Sequence, residues 1–554
     1  METKKKGRVK RVAKWIVTCA WPYVNYVPHL GTMIGSALSA DVIARYLRMK
    51  GEDVLFVSGS DEHGTPIEVE ALKRGVHPKT LCDENHSKIA KLFERWNISF
   101  DNYSRTESLY HKEFVKSFYM KVYERGYIYE EEVELPFCPN CQIFLPDRFV
   151  SGGCPHCGFE DARGDQCDQC GSLLEPHMLT RLRCTICGST PQFKKTKHWF
   201  FDLPKLETKL KDFIDKMPFL TENARNASLS LLKEGLKPRS VTRDNKWGIP
   251  APFPGAEDKT IYVWMEAVLG YISATIELFA KKGEPDKWKD YWFDSDTRFL
   301  CFIGKDNIPF HTLILPALIM ASGEGYVLPW GVSATEYLLF EGHKFSKSRR
   351  IGVWIDEALE MCPVDYWRYV LLYLRPEGKD ISFTWALFRE LVNSHLNDTL
   401  GNFIYRVLTF TSRALNSRVP SPMSDWVLEE LWNVVLEKFQ RCTSNLDNFK
   451  IKDALQEIID LAREGNRYLN EKAPWDALRR GRMKEVSTSI YVCLNAIKSL
   501  AVMLAPFTPN VADELWRSLG YATSVHGEKW EEAIRPIEPG KEIPAPKPLF
   551  TKIK

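Results

Sequence analysis

Trp15-Ile16-Val17-Thr18-Cys19-Ala20, followed by Trp21-Pro22-Tyr23-Val24-Asn25 and then by His29-Leu30-Gly31-Thr32, is the stretch that decides the fold. The first six residues are largely apolar and β-branched and read as a strand. Pro22 and Pro28 mark a turn. A helical pattern then runs from about 30 to 49 and closes at Gly51, where a helix C-terminus favours glycine. Val54-Leu55-Phe56-Val57 comes next, an apolar run suited to a strand covered on both faces. Strand, helix and strand at this spacing form a βαβ unit, which requires a parallel sheet.

Outward from there, a second unit of the same kind follows: a strand at 299–303, a helix at 309–321 and the start of another strand at 326–328. Between the two lies an insertion at 129–239. The economical reading is an α/β fold, a split Rossmann-like parallel sheet whose halves occupy 1–128 (with a basic tail at 1–13) and 240–335. A linking region covers 336–384. From 385 to 554 strand-like runs vanish, and amphipathic patterns broken by Pro474, Pro506 and Pro509 predict an all-α bundle. The proline-rich tail at 538–554 reads as an extended strap.

Composition narrows the class of protein. The 554 residues are 44% hydrophobic and 27% charged, which suits packed domains and excludes a disordered chain. No stretch is read as the ~20 apolar residues of a membrane span, and the basic tail lacks the serine content of a transit peptide, so a cytoplasmic protein is expected. Basic and acidic residues (75 and 72) nearly cancel, so any RNA-binding surface must be a local patch. Eight of the fourteen cysteines fall in four C-x-x-C pairs: Cys138/Cys141, Cys154/Cys157, Cys167/Cys170 and Cys184/Cys187. In a reducing compartment that spacing reads as structural zinc with four thiolates per ion, one or two ions per chain. Spacing leaves open whether the pairs combine in sequence or as one site nested inside the other. The other six cysteines sit in apolar runs and read as small core residues.

Two short motifs carry chemistry. His29-Leu30-Gly31-Thr32 sits where a strand's carboxyl end meets a helix N-terminus, a place that favours phosphate. Gly31 allows close approach of a nucleotide, and His29 can donate to an oxygen that gains charge. Lys344-Phe345-Ser346-Lys347-Ser348 offers two ammonium groups on a loop, suited to a pyrophosphate leaving group.

These two motifs resemble the paired signatures of the class I aminoacyl-tRNA synthetases. The neighbourhoods Cys19 to Asn25, Ser60-Asp61-Glu62-His63-Gly64-Thr65-Pro66, Phe144-Leu145-Pro146-Asp147-Arg148-Phe149-Val150, Tyr262-Val263-Trp264 and Ile303-Gly304-Lys305-Asp306 resemble the methionyl-tRNA synthetase family, in its two-knuckle type, from about 15 to the C-terminus. The resemblance implies a methionine–tRNA ligase that forms methionyl-adenylate from ATP, with Mg²⁺, and passes the methionyl group to tRNA. It implies catalytic roles for His29, Thr32, Lys344 and Lys347, and ATP contacts by Gly31, Lys305, Asp306 and Lys347. Thr32 and Phe345 stand where the family more often has histidine and methionine. The methionine pocket would be formed by Trp21, Tyr23, Asp61, Trp264, Ala267, Tyr271 and His311, with Val268 replacing a frequent proline. Asp61 would take the ammonium group, and Tyr23 and His311 would each supply a hydrogen bond to the sulfur. Nested cysteine pairing is implied, as are an anticodon-binding role for the bundle through Arg413 and Trp475, and cyclisation of homocysteinyl-adenylate in the synthetic site instead of a separate editing domain. Thr409 replaces an asparagine of bacterial members. The chain is expected to be a monomer, with tRNA(Met), ATP and methionine as partners, no membrane, and a separate tRNA-binding protein as a further partner. Two rivals remain at this stage: another class I synthetase, and an inert RNA-binding protein built on the knuckles and bundle.

Overall fold

The computed structural model describes residues 12–145, 149–164, 167, 169–170, 172, 174, 176–346 and 350–554; most of the basic tail and Lys347 lie outside them. Six strands form one sheet in the order Phe219–Leu220, Pro329–Thr335, Arg298–Gly304, Lys14–Cys19, Asp53–Ser60, Asn102–Arg105. Every neighbouring pair is parallel. The central strands are buried along nearly their whole length, as continuous apolar runs require. Side chains alternate between two cores: Trp15, Val17 and Cys19 face one, Ile16 the other. The first core runs on without a break into the helical bundle.

Strand order reverses between Lys14–Cys19 and Arg298–Gly304, because the chain winds outward to one side from the first strand and returns on its other side. A crevice therefore opens at the carboxyl ends of these two strands. Both helices that start at this crevice begin irregularly. The one expected at 30–49 has a π-helical segment at Met33–Ala37 before regular α-helix at Leu38–Met49. The second runs through a π segment at Phe310–Ile314 into Leu315–Ser322. Such segments re-aim side chains and concentrate at functional sites.

The insertion is a long antiparallel arm, Ile128–Cys138 against Gln192–Phe201, with the cysteine pairs at its tip. Phe219–Leu220 falls inside the expected insertion but belongs to the main sheet, an edge too short to show a period in sequence. The strand expected from 326 begins at Pro329. After Phe383 the described residues form no further strand, only helices and the segments that join and follow them, as expected. One of them, Met483–Leu504, corrects the expectation of no long apolar stretch: it is long and apolar enough to cross a membrane, but it is buried as the central helix of the bundle. Along the tail, Ile543 and Phe550 are buried, and the backbone pairs with Ser417 and Val419.

A buried guanidinium pins the bundle to the site. Arg368 donates to Asp41 Oδ2 at 2.7 Å and to the carbonyls of Phe507, Pro506, Trp96 and Asn97. Asp41 lies on the helix that continues from His29.

Candidate active site

The crevice holds two adjoining cavities. The larger, about 430 Å³, is walled by His29, Gly31, Thr32, Lys344 and Phe345 from the two motifs, and by Asp306, Asn307, Glu336 and Tyr337 from the other half of the sheet. The smaller, about 240 Å³, is walled by Asp61, Trp264, Ala267, Val268, Tyr271, Phe310 and His311. Ala20, Trp21, Tyr23, Asp306 and Asn307 line both.

His29 caps the helix that follows it. Its Nδ1 accepts the Thr32 N–H at 3.2 Å, which puts the ring proton on Nε2. Burial pushes its pKa down to about 4, so the ring is neutral and a donor. Phe345 stacks on it, with centroids 4.4 Å apart and planes 7° from parallel. The two motifs, more than three hundred residues apart, therefore meet ring on ring. Gly31 makes room for this stack: a Cβ there would lie 3.0 Å from the His29 ring. At Gly352, where φ is +133°, a Cβ would collide with the Phe345 ring.

Lys344 is exposed, with its ammonium group 4.9 Å above the Tyr337 ring. The Tyr337 hydroxyl donates to Asp306. Lys305 stands behind this wall: its ammonium group pairs with Glu336 at 2.7 Å and Asp380 at 2.8 Å. Tyr337, Glu336 and Asn307 were absent from the sequence expectations; Asn307 alone had a signal, adjacent to Lys305-Asp306.

The smaller cavity is built around Trp21. Its indole slots between Gly59 and Gly270, where a Cβ would lie 2.7 and 2.5 Å from the ring. Trp264 meets Phe310 edge-on at 5.0 Å and is 42% exposed. Asp61 is buried, and its Oδ1 has no hydrogen-bond partner among the described residues. Burial and the nearby Glu266 charge raise its pKa well above the carboxylate range, against the opposing pull of His63. An unpartnered buried carboxylate oxygen is costly unless a ligand donor meets it.

One expectation is corrected here. Tyr23 donates its hydroxyl proton to the His63 carbonyl. His311 donates from Nδ1 to the Asn307 carbonyl at 3.0 Å and accepts the Tyr271 hydroxyl at Nε2 at 2.7 Å, with burial pushing its pKa down to about 4. Neither residue has a proton left for a thioether, so what the pocket offers is shape and polarizable aromatic contact.

The cysteines assemble as nested tetrads, Cys138/Cys141/Cys184/Cys187 and Cys154/Cys157/Cys167/Cys170, each with its sulfurs within 4.8 Å of one another. Facing sulfurs lie 3.4–4.0 Å apart, close to the ~3.8 Å edge of a tetrahedron with ~2.3 Å metal–sulfur bonds. Hydrogen bonds with Ser172 and Ser189 hold Cys170 and Cys187 below the ordinary thiol range.

In the bundle, Arg413 is exposed on the last turn of Asn402–Ala414. Trp475 starts the helix Pro474–Arg479 after Ala473, whose φ of +38° is a left-handed conformation that non-glycine residues avoid. No hydrogen bond or ring contact joins Arg413 and Trp475 among the described residues. Instead Arg406, fixed by Asn470 at 2.7 Å, sits 5.4 Å over the Trp475 ring.

Residues 15–408 match the family model for class I tRNA synthetases (M), and residues 424–554 match the anticodon binding domain of methionyl tRNA ligase. The methionine–tRNA ligase of Thermofilum pendens is 58% identical over 542 residues, covering 98% of this chain and 95% of that one. The methionine–tRNA ligase of Caldivirga maquilingensis is 53% identical over 545 residues, with 98% and 92% covered. Among solved structures, Mycobacterium tuberculosis methionyl-tRNA synthetase in complex with methionyl-adenylate superposes with a TM-score of 0.80 at 25% identity, over 98% of this chain and all of that one.

Proposed function

Because this chain belongs to the methionyl-tRNA synthetase family of class I and is a methionine–tRNA ligase, we propose that its two joined cavities hold methionine and ATP side by side for adenylate formation. Methionine takes the smaller cavity, its ammonium group on Asp61 and its thioether among Trp21, Trp264, Ala267, Tyr271 and His311. ATP, entering with Mg²⁺, takes the larger one. The methionine carboxylate oxygen bonds to the α-phosphorus as the bond to pyrophosphate breaks. The neutral His29 Nε2–H donates to phosphate oxygen as charge builds, and Lys344 and Lys347 neutralise the departing pyrophosphate. Thr32 borders the nucleotide. Asp306 faces the ribose hydroxyls, and Lys305 acts at one remove, by holding Glu336 and Asp380. The terminal ribose hydroxyl of tRNA then attacks the carbonyl carbon, its proton leaves, and AMP is released.

The observation that carries this reading is the shared wall: Trp21, Tyr23 and Asp306 line both cavities, one of which contains Asp61 and the other His29. Amino-acid-dependent pyrophosphate exchange tests it. Methionine should drive exchange, and Lys347→Ala should slow it by orders of magnitude with methionine binding kept. Exchange driven by leucine or cysteine and not by methionine would overturn the assignment.

Each cysteine tetrad is assigned one zinc ion. Four thiolates leave no open position, so the metal braces the arm and takes no part in the reaction. A metal count near two per chain is expected; a count near one would remove the outer tetrad from the assignment. Arg413 and Trp475 are assigned to the anticodon, with Trp475 stacking on an unpaired base. The residue ranges 1–128, 129–239, 240–335, 336–384 and 385–554 serve as working domains. Free thiols in this number suit the reducing cytoplasm.

A further inference from the structure

Beneath the methionine pocket lies a chain of buried charges that the reaction as described leaves unused. His63 is buried between two carboxylates: Nδ1 is 2.6 Å from Glu266 Oε1, and Nε2 is 2.7 Å from Glu107 Oε1. Lys112 braces Glu107 from outside. Ionised carboxylates only accept, so both ring nitrogens must carry protons and His63 is an imidazolium. Burial alone would lower its pKa, but the Glu266 and Glu107 charges outweigh burial and push it up to about 10. The second Glu266 oxygen takes His111 Nε2 at 3.1 Å, and the His111 ring lies 5.9 Å from Trp21.

His63, Glu266 and His111 adjoin the wall of the pocket. The His63 carbonyl accepts the Tyr23 hydroxyl. Glu266 sits on the short helix Val263–Ala267, between the wall residues Trp264 and Ala267. At Asp61, burial and the Glu266 charge push the carboxyl pKa up, and the His63 charge and backbone N–H offset part of that rise. Two carboxylates that share a buried site resist ionising together unless a cation stands with them. If His63 lost its charge, a proton would settle on the pair, and a protonated Asp61 could no longer accept fully from an ammonium group.

We propose that the His63 imidazolium, held between Glu266 and Glu107, is a positioning element that offsets the Glu266 charge at Asp61 and anchors Tyr23, and so gives the pocket its selectivity for an α-ammonium group. The proposal rests on the reading of Asp61 as the ammonium ligand. His63 touches no substrate; it acts through Asp61 and Tyr23.

The test compares two ligands of one shape, methionine and its des-amino analogue 4-(methylthio)butanoate, through the tryptophan fluorescence of the full-length chain. The native protein should prefer methionine. His63→Asn should cut the ratio of the two affinities by about 10- to 100-fold, the range of a hydrogen bond to a charged group, with des-amino binding unchanged. Glu107→Gln keeps a hydrogen bond but removes one of the charges holding His63, on the side away from Glu266. It should lower the ratio in the same direction by about threefold, on the scale of an ordinary hydrogen bond, and it decides the matter where His63→Asn does not fold. Equal weakening of both ligands, or an unchanged ratio in the folded variants, overturns the proposal. Asp61→Asn separates the two levels. If it leaves the ratio intact, the ammonium assignment itself fails. If it abolishes the ratio while the His63 and Glu107 variants preserve it, only the positioning role fails.

Discussion

His29 and His311 stand in opposite halves of one crevice and differ in a single way that matters. Both follow strands of the same parallel sheet, His29 just before a π-helical segment and His311 within one, and burial holds both near pKa 4 and neutral. They carry their proton on different nitrogens. His29 accepts at Nδ1 and keeps an Nε2–H facing the nucleotide cavity, whereas His311 spends its Nδ1–H on the Asn307 carbonyl and its Nε2 on the Tyr271 hydroxyl. Under the proposed assignment, the nucleotide half holds donors in reserve for charge that develops during reaction. The half proposed for the amino acid has its His311 and Tyr23 donors spent internally and offers a preformed apolar shape, with one carboxylate oxygen on Asp61 unpartnered among the described residues. Preorganised donors act on the rate, and a preformed shape acts on binding.

The sharpest way to break this comparison is to exchange the two kinds of effect by mutation. His29→Ala should lower the pyrophosphate exchange kcat by about 10²–10³-fold, as removal of one charge-stabilising donor does, with little change in the methionine KM. Asp61→Asn should do the reverse. It should raise the methionine KM by roughly 10²-fold, as loss of a buried charged partner does, and disturb kcat less. A smaller effect comes from Tyr271→Phe, which strips His311 Nε2 of its donor. About 1–3 kcal/mol of pocket stabilisation is at stake, read as weaker methionine binding with near-normal kcat.

The pH dependence separates the halves more gently. With both histidines near 4, neither contributes a rate limb near 6.5. Asp61 contributes an acid limb to methionine binding alone: its raised pKa means affinity is full above that value and fades as pH falls through it. His63 has the opposite sign. Its stabilising contribution is full below its ordinary value of 6.5 and is lost as pH rises through about 10. Calorimetric melting across that alkaline range should show the decline, and a melting temperature indifferent to pH there would contradict the imidazolium.

The sequence was most legible where chemistry depends on residue type at fixed spacing. The βαβ units, the two motifs and the cysteine pairs follow from local pattern, and the family resemblance singled out Asp61 and chose the nested pairing that the tetrads adopt. What stayed hidden was set by contacts between distant segments. The Phe345–His29 stack could not be read from either motif alone, although it gives Phe345 a plain reason to be aromatic. The fate of the Tyr23 and His311 protons depended on a carbonyl and a hydroxyl that only the fold brings near, so sequence reasoning overestimated their freedom. Phe219–Leu220 is too short for periodicity to register. The π segments look like ordinary helix in sequence because their apolar spacing differs by a single residue.

The most direct test of the comparison is ¹⁵N NMR of the twelve histidines near neutral pH, with resonances assigned by single variants. The account predicts neutral rings of opposite tautomer, with the proton on Nε2 in His29 and on Nδ1 in His311. A His29 ring protonated at Nδ1, or either ring found as a cation, would contradict it.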